Sequence, residues 1–393
     1  MIGISRLYCG SRERSDALRY GEAQAGRPAV PRPVVVWNIT RACNLRCAHC
    51  YSGSGSAPAR RELSTDEGLA LLDDLARFRV PVVLFSGGEP LTRPDLVRLI
   101  THAARLGLRT VLSTNGTLLD AATARALKKA GVAYVGISLD GLRETNDAFR
   151  GAAGAFDRAL AAVGHCRQAE LKVGLRFSIT RRNVGEIGDL FDLARRQRIP
   201  RLCFYHLAWC GRGSRLRQED LGRAATRRAV DDIINRTRDL HAAGHPAEVL
   251  TVDNHADGPY LYLRMRREKH PQADEALTLL RRSGGNASGE RIAAVGWDGS
   301  VYPDQFWRTA ELGRVGERTF AEIWSDPTQP LLAALRNRRK HLTGRCARCR
   351  FLDLCGGNLR ARAEADTGDP WAPDPACYLT DAEIGLKRRG RKE

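Results

Sequence analysis

Three cysteines carry the most specific chemistry in this chain. Cys43, Cys47 and Cys50 are spaced C-x3-C-x2-C directly behind the apolar run Val34-Val35-Val36-Trp37. Three thiolates on one short loop can grip an iron-sulfur cluster, and because a four-iron four-sulfur cube asks for four protein ligands, one iron would stay open. An open iron at the end of a strand could chelate a small molecule and pass it an electron, work done by the cofactor rather than by the protein. Half of a zinc site is the other reading, but structural zinc is usually closed by four ligands, and the nearby candidate is only His49. Disulfides do not suit three closely spaced cysteines with no secretion signal ahead of them.

A second set lies near the C-terminus, where Cys346, Cys349, Cys355 and Cys377 read C-x2-C-x5-C-x21-C. Four soft ligands make a closed site that suits zinc or a fully ligated 4Fe-4S cluster, and spacing does not choose between them.

C-x3-C-x2-C followed about forty residues on by Gly87-Gly88-Glu89-Pro90 resembles the radical S-adenosylmethionine (SAM) superfamily, and the pair of motifs is far more specific than either alone. The resemblance implies SAM bound to the open iron through its amino and carboxylate groups. Its reductive cleavage would yield a 5'-deoxyadenosyl radical that abstracts hydrogen from an unactivated carbon.

The elements that must hold these loops follow from periodicity. Residues 34-40, 81-86, 109-114, 133-139, 171-180 and 201-207 are short apolar runs, and stretches such as 66-79, 94-106, 120-130, 155-170 and 185-198 between them carry apolar residues at three- and four-residue spacing. Ser64 with Glu67 forms a capping-box signature, and Asp120 precedes an Ala-rich run. Alternating strands and helices predict a parallel sheet with helices outside it. The expected fold is α/β, a partial (β/α)6 TIM-type barrel, six units being too few for a closed barrel of eight.

Parallel sheets of this kind carry their sites beyond the carboxyl ends of the strands. Gly87-Gly88-Glu89-Pro90 follows the second run, Ser113-Thr114-Asn115-Gly116 the third and Ser138-Leu139-Asp140-Gly141 the fourth, while Arg176 lies within the fifth. The expected SAM contacts are therefore Gly87, Gly88, Glu89, Ser113, Asn115, Ser138, Asp140 and Arg176. Glycines would admit close backbone approach, and Ser, Asn and Asp can bond ribose hydroxyls and the amino group. Arg176 could equally hold the SAM carboxylate, a substrate carboxylate or a structural partner.

Length, charge and cysteine usage bound the rest. The chain has 393 residues, 43% of them hydrophobic, and a net charge of +18. No apolar run approaches the ~20 residues of a membrane span. The charge suits a polyanionic partner or a substrate rich in carboxylates, although the bias toward Arg over Lys weakens that signal. Clustered cysteines point to metal in a reducing, cytoplasmic setting. The expected organisation is an irregular N-terminal arm (1-33), the barrel (34-245), a connecting segment (246-290), an auxiliary-cluster domain (291-386) and a basic tail (387-393). Cys9, Cys166, Cys203 and Cys210 have no assigned role; Cys9 reads as a free thiol and Cys166 as core.

The second cysteine set and the hairpin pattern Ile292-Ala293-Ala294-Val295-Gly296-Trp297-Asp298-Gly299-Ser300-Val301-Tyr302 resemble the SPASM/twitch-like C-terminal module. That module's full pattern carries seven cysteines and two auxiliary clusters. Here Asp304 and Leu359 stand where two of its cysteines would be, and no cysteine lies just upstream of the hairpin. The resemblance thus implies one auxiliary cluster, or two 4Fe-4S clusters in all.

Gly285-Asn286-Ala287-Ser288-Gly289, Asn146-Asp147-Ala148-Phe149-Arg150-Gly151, Cys355-Gly356-Gly357-Asn358 and Gly368-Asp369-Pro370-Trp371 together resemble the NirJ family of haem d1 biosynthesis, over about residues 34 to 386. This implies an iron-containing tetrapyrrole substrate, didecarboxysiroheme, whose propionate side chains are removed or converted to lactones, and an electron donor such as ferredoxin or flavodoxin. His206, His255 or Tyr260 would approach the substrate iron. A peptide-modifying maturase with the same two domains is the first alternative. A basic zinc protein that binds nucleic acid is the remote one, and it leaves the strand-end motifs unexplained. Two clusters predict about eight irons per chain after anaerobic reconstitution, whereas about twelve would refute the single auxiliary cluster.

Overall fold

The six apolar runs become six parallel strands, because strands buried on both faces can be apolar along their whole length. A computed structural model describes residues 1-21 and 30-386. Its strands are β1 (Ile2–Gly3), β2 (Val34–Asn38), β3 (Val82–Ser86), β4 (Arg109–Thr114), β5 (Val132–Ser138), β6 (Val173–Ile179), β7 (Arg201–His206), β8 (Glu248–Val252), β9 (Ile292–Val295), β10 (Ser300–Tyr302) and β11 (Gly313–Arg314). One sheet holds them in the order β1-β8-β7-β6-β5-β4-β3-β2-β9-β10-β11. Neighbours from β9 through β2 to β8 pair parallel, and the pairs Asn38↔Ser86, Ser113↔Gly136 and Ser138↔Arg176 bring the polar strand ends to one edge.

Helices pack outside the sheet as the spacing requires. Thr65–Arg77 begins with the expected capping box of Ser64 and Glu67, and Asp120 accepts the Thr123 amide at the head of Ala121–Ala130. Such caps are worth roughly 1 kcal/mol each.

The structure departs from the sequence reading in several places. The N-terminal stretch is regular where an irregular arm was expected: β1 pairs antiparallel with β8, and the helix Ile4–Cys9 buries Ile4, Leu7 and Tyr8. Positions 4, 7 and 8 are one helical face, too short a pattern to stand out between Gly3 and Gly10. Cys9 is a free thiol there, pushed up to about 11 by burial. β8 adds a seventh parallel strand after β7, within the stretch expected to be a connector. Residues 253-256, also within that stretch, lead directly into the helix Asp257–Arg267. Cys166 is in the core. The basic tail 387-393 lies outside the described residues, and no described helix is long and apolar enough to cross a membrane.

The C-terminal segment joins the barrel sheet directly. β9 extends it beside β2, and β10 returns antiparallel through the expected Asp298-Gly299 turn, with φ +87° at Gly299. The helix Arg360–Thr367 is tied across the strand ends by Arg362, whose guanidinium donates bidentately to Asp374 at 2.8 and 2.9 Å. The same side chain donates to the Leu207 and Asp253 carbonyls. Both members of this ion pair are inaccessible to solvent. Removing one partner strands a charge in low dielectric, so Asp374→Ala is expected to lower unfolding free energy by about 3-5 kcal/mol in denaturant titrations.

Candidate functional site

The three-cysteine loop is set by close backbone contact. Ser86 O accepts from Ile39 N, and then Gly88 N donates to Thr40 O and Glu89 N to Ala42 O, both at 2.7 Å, which carries the β2-β3 contact past the strand ends up to Cys43. A Cβ on Gly88 would stand 2.1 Å from Ala42 O, and Gly87 has φ +147°. Only glycine tolerates such an approach. From the other side the loop after β7 clamps the same residues: Arg212 donates to Cys47 O at 2.8 Å and to Ser54 O at 2.6 Å, and its amide to Cys50 O.

The donor set fits a cluster that carries negative charge. Arg150 donates to the Cys47 sulfur at 3.6 Å and is held by an ion pair with Asp140, which has no solvent exposure. Burial pushes Cys50 up, but the Ser52 and Ser54 hydroxyls and the Arg212 charge more than offset it, leaving the thiol below its ordinary value. Burial pushes Cys43 up to about 11 and raises Cys47. Arg150 Nε and Arg212 Nη2 are buried without a hydrogen-bond partner, two unmet donors on side chains that already contact the cysteine loop. His49, the zinc alternative, instead stands 3.3 Å from Asp140 and stacks on Phe149, and burial holds it down at about 4. Among the described residues no three His, Cys, Asp or Glu side chains gather around a single-ion position.

The loop faces a cavity of about 450 Å³ inside the open barrel, lined by Cys43, Cys47 and Cys50 together with Gly87, Gly88, Ser113, Asn115, Ser138, Arg176, His206 and His255. Arg176 donates to Ser113 Oγ and to Tyr205 Oη at 3.0 Å, and stacks 4.8 Å from the Tyr205 ring centre. Asn115 reaches Asn44 of the cysteine loop at 2.9 Å. Walls of Val36, Leu84, Val111 and Leu250 alternate with the cations Arg19, Arg109, Arg176 and Arg201. Apolar walls with a few convergent cations suit a largely apolar ligand bearing carboxylates.

Three expected site residues do not face the cavity. Both Glu89 oxygens are occupied, by Thr114 Oγ1 and the Leu91 and Asn115 amides, so it fastens β3 to β4. Asp140 accepts from Ser178 N and holds Arg150. Tyr260 lies in the helix Asp257–Arg267 with its hydroxyl on Asp231, and it is absent from the lining. Sequence reasoning in turn gave no role to Arg150, Arg212 or Asp253. Asp253 has φ +67° and lines the cavity, where burial pushes its carboxyl up to about 7. Cys203 and Cys210 also line it.

Where the module's missing cysteines would be, the structure is filled and satisfied. Asp304 is buried, accepting from Ser288 Oγ and from the Phe306 and Trp307 amides, and Leu359 packs with Trp307 and Leu335. The other four cysteines stand close enough for Cys346, Cys349 and Cys377 each to raise the Cys355 thiol beyond what burial does. Arg360 lies beside Cys346 and Cys355, inaccessible to solvent and with Nε unpartnered, a fit for anionic sulfur. Gly285, at φ +75°, packs on the Cys355 backbone, where a Cβ would sit 2.1 Å from its carbonyl carbon, and so joins this site to the cavity wall.

The radical SAM superfamily pattern matches residues 37-194, and an iron-sulfur cluster-binding domain, SPASM, matches residues 288-350. The chain belongs to the radical SAM superfamily, which implies iron-sulfur clusters and SAM as its cofactors. It is 54% identical to the Fe-coproporphyrin III synthase of Methanosarcina barkeri, over 98% of this chain and 99% of that one. It is 44% identical to the pre-heme d1 synthase of Dinoroseobacter shibae, over 90% and 88% of the two chains. Native anSMEcpe with bound AdoMet has the same fold, with a TM-score of 0.68 at 18% identity over 88% of this chain and 94% of that one.

Gly88→Ala is expected to displace Ala42 and the cysteine loop while sparing the C-terminal site. Reconstituted protein should then hold about four irons instead of about eight by iron and sulfide analysis.

Proposed function

We propose that this chain alters acid side chains of an iron-containing modified tetrapyrrole and that its product is an iron coproporphyrin. The 54% identity to an Fe-coproporphyrin III synthase over nearly the whole of both chains carries this reading. Formation of a haem d1 precursor, with propionates lost or closed to lactones, is the second reading, favoured by the 44% relative and the phrase Gly285-Asn286-Ala287-Ser288-Gly289.

Cys43, Cys47 and Cys50 would hold the SAM-binding 4Fe-4S cluster, and Cys346, Cys349, Cys355 and Cys377 a single auxiliary one. Bound together, the first cluster and SAM supply one-electron cleavage of a sulfonium bond and with it a radical able to take hydrogen from carbon.

The chain's own residues supply position. Gly87 and Gly88 hold the cysteine loop against the sheet end. Arg176, fixed by Ser113 and Tyr205, stays charged and presents a guanidinium edge to a carboxylate. Arg19 and Arg201 line the cavity and share Glu248, with Asp16 also beside Arg19, while Arg109 adds a further cation to the lining. The aliphatic walls exclude water from the ring faces.

Anaerobic incubation with SAM, reductant and didecarboxysiroheme, followed by mass spectrometry, separates the readings. A product that keeps its propionates supports iron coproporphyrin, and one that has lost propionates or gained lactones supports haem d1. An unchanged tetrapyrrole alongside 5'-deoxyadenosine would refute both.

A further inference from the structure

We propose that His255 is the axial ligand to the iron of the bound tetrapyrrole. The inference rests on the functional reading above and selects one of three candidates.

His255 sits on the loop between β8 and the helix Asp257–Arg267 and lines the cavity. The loop is held from the auxiliary-cluster side. Asn358, three residues after Cys355 and itself at φ +63°, accepts the His255 amide at 2.7 Å and donates to Asn254 at 2.8 Å. Arg362 grips the Asp253 carbonyl from the same domain. Backbone bonds of this kind fix the position of the imidazole without consuming its ring nitrogens.

The ring itself is underused. Nδ1 is buried without a hydrogen-bond partner, and the Asn358 side chain is near enough to the ring to favour a proton on it, against the effect of burial. Burial holds the imidazole well below its usual range, so the ring is neutral and keeps a lone pair. A neutral imidazole is a common ligand for haem-type iron, and its second nitrogen usually faces a carbonyl or carboxylate, a place the Asn358 side chain can fill.

The other two candidates are engaged. His206 Nε2 lies 2.9 Å from Asp257, which also accepts from Tyr378. Burial works against a proton on His206, but Asp257 raises the ring above its ordinary value, so a proton competes with iron for this imidazole as it does not at His255. Tyr260 faces Asp231, away from the cavity.

The test is equilibrium binding of iron(III) coproporphyrin III and of metal-free coproporphyrin III to the reconstituted protein. Wild type should prefer the iron form by about tenfold or more, a difference of about 1.4 kcal/mol. His255→Ala and the near-isosteric His255→Gln should erase that preference while binding of the metal-free ring stays within about twofold, and imidazole should restore it in the Ala variant. His206→Gln should retain it. An equal loss for both rings in both His255 variants, or a preference that survives in them, would overturn the assignment while leaving the tetrapyrrole reading intact. Failure of wild type to bind either ring would defeat that reading and the assignment with it.

Discussion

A side chain at position 88 would collide with the Ala42 carbonyl, and that exclusion governs where the chemistry can happen. Because Gly88 and Glu89 donate to Thr40 and Ala42, the residues leading into Cys43 run on as an extension of the sheet rather than as a free loop. The three sulfurs therefore inherit the rigidity of parallel strands buried beneath them. The Glu89 side chain serves the same end by stitching the next strand to this one through Thr114 and Asn115.

Charge completes what the backbone starts. Sulfurs withdrawn from water disfavour ionisation, and the chain answers with Arg150 and Arg212 at the first set and Arg360 at the second. Each of these arginines has a carboxylate or carbonyl partner and one buried nitrogen left without any. The two cysteine sites are also mechanically joined to the cavity between them. Gly285 packs on Cys355, Asn358 holds the 254-255 backbone, and Arg362 binds the carbonyls after β7 and β8. Asp304 and Leu359, standing where the module's pattern has cysteines, are held by a hydrogen bond to Ser288 and by apolar packing on Trp307.

Much of this was legible in the residues. Buried parallel strands write themselves as unbroken apolar runs, so β2 to β7 and the helices between them were readable to within a few positions, and both cysteine sets were visible as spacing. β8 was hidden because it opens on Glu248, a buried acid paired with Arg19 and Arg201, which disguises a five-residue strand as polar connector. Glu89 and Asp140 have the right chemistry for ligand contacts, and their orientation away from the cavity depends on partners on neighbouring strands that no local pattern reveals. Arg212 was lost among 63 basic residues, and Arg150, although it belongs to the phrase Asn146 to Gly151, carries no local sign of a sulfur partner 103 positions away.

The account turns on one iron of the first cluster remaining free of protein and open to SAM. Electron paramagnetic resonance of the anaerobically reduced protein, with and without SAM, tests this directly. The signal of one reduced 4Fe-4S cluster should change on adding SAM, and Cys47→Ser should abolish that response while leaving the second cluster's signal in place. Protein that binds zinc at Cys43, Cys47 and Cys50, or a cluster signal indifferent to SAM, would contradict it.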